Sequence, residues 1–131
     1  MNNEYGRMPS ALSRRHVTGR KGEQAALEHL ERHGYTIIGR NWRCRSGELD
    51  LIATEGDRIV FVEVRSRRSV NRFGTPLESV DVRKQLQVRA TAQVFLRARG
   101  LEHCKIRFDV IAVIIGPGGE IAELKHIEGA F

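Results

Sequence analysis

Several things are scarce in this chain, and each scarcity excludes something. No apolar run approaches the roughly 18 residues of a membrane span. Residues 1–18 hold no apolar stretch of signal-peptide type. A cytoplasmic protein with no membrane partner is therefore expected. Cysteine is limited to Cys44 and Cys104, without a CxxC spacing, which argues against a zinc ribbon or a redox pair and for reduced thiols. Lysine is rare beside arginine, four against eighteen. There is no internal repeat and no second composition block. A length of 131 residues suits one domain around one core. The expected division is a flexible basic arm over residues 1–18, rich in Gly, Ser, Asn and Arg and lacking periodicity, and a single domain over 19–131.

What is abundant is positive charge. The net charge is +6 and the pI about 10.0, which favours a polyanionic partner, most simply nucleic acid. Arg20 and Lys21 precede the first periodic segment. Arg40, Arg43 and Arg45 surround Trp42, and Arg67, Arg68 and Arg72 follow an apolar strand pattern. These are the candidate nucleic-acid contacts. Trp42 could stack on an unpaired base, although a lone Trp is more often packing. An Arg-rich genome would give the same composition; the clustering of these residues beside acidic ones is what favours phosphate binding.

The pattern predicts a helix over about 20–33 stopped by Gly34, a strand over 35–40, and a basic connection over 41–47. Strands follow over 47–53 and 59–65. A loop over 66–78 containing Phe73-Gly74-Thr75-Pro76 leads to a second helix ending at Arg99 before Gly100. The apolar residues of that helix do not define one face. Ile106–Ile115 is a nearly continuous apolar strand of the kind found inside a sheet, and residues 120–126 supply an edge strand. The order is αβββαβ with a further β. A helical crossover before the apolar strand implies a mixed sheet.

The hairpin carries the chemistry. If Gly56-Asp57 is a two-residue loop, partners across the hairpin have numbers that sum to 113, and Asp50 falls opposite Glu63. Cβ atoms of opposed residues are about 5 Å apart. Two carboxylates at that distance repel unless a positive group lies between them, and a divalent cation is the simplest such group. Glu23 shares the apolar stripe of the first helix with Ala26, Leu27 and Leu30, where a carboxylate needs a partner. Arg65 lies two residues beyond Glu63 on the same strand face. Such a group can hold Mg²⁺, orient a phosphodiester and activate water. The competing arrangement is an ion-pair network with Arg65, Arg67 or Arg107. Glu48 reads as a strand-end charge, and Asp109, inside an apolar strand, calls for a buried Arg. His29 and His33 have an i, i+4 spacing that can bind zinc, but solvated histidines are the commoner outcome at a helix end.

Asp50 followed by Glu63-Val64-Arg65, preceded by a helical Glu23, resembles the PD-(D/E)XK nuclease superfamily. Its shared core is the same αβββαβ. More closely, Gly22-Glu23, Gly47-Glu48-Leu49-Asp50-Leu51-Ile52, Phe61-Val62-Glu63-Val64-Arg65 and Arg107-Phe108-Asp109-Val110 are similar to the YraN family. Those are small bacterial nuclease-like proteins, similar to archaeal Holliday-junction resolvases. The resemblance implies an α/β restriction-endonuclease-like fold and metal-dependent hydrolysis of DNA phosphodiester bonds, with branched or structured DNA as substrate. It implies that Asp50, Glu63 and Glu23 bind Mg²⁺ or Mn²⁺. Junction cleavage would need two sites and hence a homodimer. Arg65 stands where the superfamily has Lys, and a guanidinium does not serve as a general base. Lys84, which matches a Lys the family tends to carry, is the candidate replacement amine. The alternative reading is a non-catalytic nucleic-acid-binding module that keeps the fold.

Overall fold

The computed structural model describes residues 11–69 and 80–131; the side chains of 11–16 fall outside the description. The elements in chain order are α1 (Ala11–Arg32), β1 (Thr36–Cys44), β2 (Gly47–Glu55), β3 (Arg58–Arg68), α2 (Val82–Arg99), β4 (Lys105–Ile115) and β5 (Ile121–Ile127). The five strands lie side by side in chain order in one sheet. β1, β2 and β3 are antiparallel neighbours, β3 and β4 are parallel, and β4 and β5 are antiparallel. The architecture is the mixed α/β sheet with two helices that the sequence predicts. The parallel pair is the one joined through α2, because only a crossover returns the chain in the same direction.

Two boundaries differ from expectation. The first helix begins at Ala11, so residues 11–18, read as part of the basic arm, are helical. Residues 1–10 lie outside the description. β1 continues through Trp42 to Cys44 where a connection was expected. It does so past a register shift between Ile37 and Gly39 and a left-handed Asn41 at φ 51°, a conformation that Asn tolerates better than most residues. The loop containing Phe73-Gly74-Thr75-Pro76 falls outside the described residues.

Each sheet face carries one helix. α1 buries Ala26 and Leu30 against Leu51, Ala53, Val60, Val62, Ile111 and Val113. It ends in a Schellman pair, with the Gly34 N–H donating to Glu31 O and the Tyr35 N–H to Leu30 O. α2 is capped by Asp81, whose Oδ1 accepts the Lys84 N–H at 2.9 Å. It buries Val88, Thr91, Ala92, Phe95 and Leu96 against Ile52, Ile59, Phe61 and Phe108. That stripe was invisible in the sequence because a Thr sits within it and because Val82 and Leu86, 69% and 62% exposed, lie off it. The Thr91 hydroxyl is satisfied by Gln87 O at 2.8 Å.

Gly22 sets how closely α1 approaches the sheet. A Cβ there would overlap Ser66 Oγ and come within 2.8 Å of Ser66 Cβ on β3. Ala normally favours a helix interior over Gly by about 1 kcal/mol. Here Gly22→Ala is expected to destabilise by about 1–3 kcal/mol, because the contact is overpacked. Urea denaturation should show that loss, and a Gly22→Ala/Ser66→Gly double variant should recover most of it. An additive cycle would disprove the contact.

Candidate active site

The hairpin register is the one counted from the sequence. Glu55 faces Arg58, and the ladder runs through Ala53↔Val60 to Leu51↔Val62. There the backbone pairing ends, and Asp50 begins the site. Its Oδ2 accepts the Val64 N–H at 2.9 Å, so a side-chain carboxylate takes over where a main-chain carbonyl would continue the ladder. Leu49 packs with the α2-side cluster and Leu51 with the α1-side cluster. Strict two-residue alternation therefore breaks at Asp50. The strands part at this end of the sheet, and the gap between them is where the acids gather.

Glu63 is 3% exposed. Its carboxyl is pushed up to about 7, first by burial and then by the charge of Asp50; Lys84 and Arg65 pull in the opposite direction without compensating. Asp50 is also raised, by burial, against the lowering effects of the Val64 N–H, Lys84 and Arg65. Lys84 Nζ lies 3.6 Å and Arg65 Nη2 3.9 Å from Glu63 Oε1. The structure thus brings Asp50, Glu63, Arg65 and Lys84 together, from β2, β3 and the first turn of α2. Arg65 Nε is buried without a hydrogen-bond partner, so this guanidinium is incompletely used by the protein itself.

Glu23 forms the outer part of the group. Burial raises its pKa first, the charge of Asp50 next, while a side-chain hydrogen bond with Asn41 lowers it. The helical acid is therefore close enough to feel Asp50, yet it is held by Asn41. Among the described residues, no three His, Cys, Asp or Glu side chains converge tightly enough to enclose a metal ion. The compact acid pair is Asp50 with Glu63. That pair suits a hard cation on chemical grounds, being a buried and a half-buried carboxylate close enough for each to feel the other's charge.

An open cleft of about 350 Å³ lies beside Lys84, lined by Asp81, Arg83, Lys84 and Gln87. Gln87 also reaches Gly47 at the start of β2, where a Cβ would meet its Nε2 at 3.0 Å. Asn41 and Gln87 were not singled out from the sequence. No motif pointed to them: Gln87 lies one turn beyond Lys84 on α2, and Asn41 on β1 hydrogen-bonds with Glu23 on α1.

The candidate nucleic-acid contacts are dispersed. Arg20, Arg40 and Arg45 are exposed, and the charge of Arg40 reaches Glu23. Lys21 Nζ donates to Gly119 O at 3.3 Å. Arg43 pairs with Glu48, and Arg68 Nε donates to Thr18 Oγ1 at 3.4 Å. Arg67, half-buried, follows Ser66 on β3. Trp42 packs edge-on against Phe95, ring centroids 5.3 Å apart, so its indole serves the α2-side core. Arg72 lies outside the described residues. Asp109 has the arginine it called for: Arg107 donates to both of its oxygens at 2.8 Å.

The family model for uncharacterised protein family UPF0102 matches residues 22–113. The chain belongs to that family. A UPF0102 protein of Moorella thermoacetica is 48% identical over 86% of this chain and 93% of its own length. One from Stutzerimonas stutzeri is 48% identical over 92% and 98%. A more distant relative, from Dictyoglomus turgidum, is 36% identical over 86% and 95%. The matched stretch of the UPF0102 model contains Glu23, Asp50, Glu63, Arg65 and Lys84, and it agrees with the YraN resemblance read from the sequence blocks. Among the described residues no helix is long and apolar enough to cross a membrane.

Proposed function

We propose that this UPF0102 protein is a metal-dependent nuclease that hydrolyses phosphodiester bonds in DNA, acting on branched or otherwise structured substrates. The observation that carries the reading is the pairing of half-buried Asp50 with buried Glu63 at the parted end of the β2–β3 hairpin, with Lys84 at 3.6 Å from Glu63. Asp50 and Glu63, assisted by Glu23, would hold Mg²⁺ or Mn²⁺. When bound, the ion supplies Lewis-acid polarisation of the phosphate and a more acidic water. The Lys84 ammonium, beside the acids and at the cleft wall, orients the attacking water and the phosphate. Arg65 stays charged and offsets negative charge building on the phosphate. Arg40, Arg45 and Arg83 offer backbone-phosphate contacts without sequence preference.

Labelled linear, flapped and four-way DNA, incubated with the protein and Mn²⁺, should be cleaved, most readily where branched. Asp50→Ala should abolish cleavage, and Lys84→Met should slow it by roughly a hundredfold or more, the scale of losing one preorganised polar group. No cleavage of any of these DNAs would sink the proposal. Arg65 in the usual place of Lys favours a second reading, a binding module that keeps the fold. Salt-dependent DNA binding, unaltered in Asp50→Ala and without cleavage, would establish it.

A further inference from the structure

A second polar group lies on the α1 side of the sheet, away from the acid pair. His29, in the last turn of α1, and His126, on β5, are 97 residues apart in sequence, yet His29 Nε2 and His126 Nδ1 are 3.2 Å apart. The other nitrogen of His126, Nε2, lies 2.7 Å from Asp109 Oδ2. A carboxylate only accepts, so His126 Nε2 is the donor to Asp109, and His126 Nδ1 is the nitrogen that faces His29. Asp109 is fully buried and doubly held by Arg107. It therefore fixes the ring of His126 as a carboxylate does behind a metal-bound histidine.

We propose that His29 Nε2 and His126 Nδ1 form a binding site for a borderline transition-metal ion, Zn²⁺ being the chosen probe. Geometry supports it first. Two zinc–nitrogen bonds of about 2.0–2.1 Å spanning the 3.2 Å gap subtend about 100–106°, close to tetrahedral. Neutral imidazole suits Zn²⁺, Ni²⁺ and Cu²⁺ better than the oxygen-seeking ions assigned to the acid pair. The rings also lie at the C-terminal end of α1, where the helix dipole favours a cation. Ligation uses the His29 Nε2 lone pair, so in the bound state the proton of that ring sits on Nδ1. Because no third His, Cys, Asp or Glu converges there among the described residues, water fills the remaining positions. The side-chain partner of His29 Nε2 is His126 Nδ1, whereas the i, i+4 neighbour His33 bonds through Nδ1 to His29 O at 2.7 Å. The ion would pin the end of α1 to the edge strand β5.

The test is Zn²⁺ titration of the full chain by calorimetry in a Glu63→Gln background, which removes the acid pair as a competitor. One ion per chain is expected. His29→Gln and His126→Gln should each weaken binding at least tenfold, while His33→Gln should change it less than twofold. Should either variant misfold, histidine NMR signals of the Glu63→Gln protein supply a second measurement. Those of His29 and His126 should move on adding Zn²⁺, and those of His33 and His103 should not. Absence of binding, equal binding in the His29 and His126 variants, or shifts confined to other histidines would overturn the site.

Discussion

Glu63→Gln should yield a protein that is inactive and, without metal, more stable than the wild type. In the folded chain the Glu63 carboxyl is raised from 4.5 to about 7, by burial and then by Asp50. A raised carboxyl means that the folded state holds a proton which the unfolded state has released. The associated stability is complete below about pH 4.5 and is lost as pH rises through about 7. The rise corresponds to roughly 3 kcal/mol, as an order of magnitude. Asp50 is shifted in the same direction and adds to the trend. In EDTA, urea denaturation should therefore show wild-type stability falling between pH 4.5 and 7.5, and the Gln variant should be markedly flatter. Mn²⁺ should restore wild-type stability most at the alkaline end, where both carboxylates are charged, and do little for the variant. Wild-type stability that is level or rising across that range in EDTA would show that the acids are already neutralised by Lys84 and Arg65, leaving no demand for a cation. On the proposed function, the site gives up stability in order to hold its ion, a familiar trade.

The same residues show what could and could not be read in advance. The hairpin register was legible up to a choice of loop: Gly56-Asp57 gives the count that the structure follows from Glu55↔Arg58 to Leu51↔Val62, while a Glu55-Gly56 loop would have slipped it by two. The parting of the strands at Asp50 was not legible. It arises because a side-chain oxygen accepts the Val64 N–H, and no periodicity distinguishes a side-chain acceptor from a main-chain one. The face of α2 was hidden by Thr91 inside its buried stripe. The i, i+4 spacing does set the His33 ring against His29, centroids 4.2 Å apart, but no spacing foretold His126, which β5 brings within 3.2 Å of His29 Nε2. Asn41 was missed for the same reason, since its hydrogen bond with Glu23 joins β1 to α1 and long-range contact leaves no local mark. Lys84 came from family likeness alone. Its place beside Glu63 follows from the Asp81 cap, which fixes where the first turn of α2 begins.

On the opposite side, Arg107→Met should be among the most damaging single changes in the chain. The Arg107 side chain is 14% exposed and reaches Asp109, Glu55 and Glu128, and its Nη2 donates to the Tyr35 hydroxyl at 2.7 Å. Removing it strands a fully buried carboxylate with only His126 and the Gly129 N–H. Uncompensated buried charges cost about 3–5 kcal/mol, which should appear in urea denaturation at pH 7. The pH dependence has a definite sign. Burial alone would raise the Asp109 carboxyl, but hydrogen bonds from His126, Arg107 and Gly129 together hold it below its usual value. Its stabilising contribution is thus present above the unfolded value, about 3.9, and vanishes as pH falls through the folded one. Without Arg107 the folded value climbs, so acid unfolding should begin at higher pH. Neutralising the partner as well, in Arg107→Met/Asp109→Asn, should recover part of the loss, because the cost lies in the abandoned charge rather than in the missing contact area. A single variant that loses less than about 1 kcal/mol, the level of an exposed ion pair, would show that His126 alone suffices to hold Asp109.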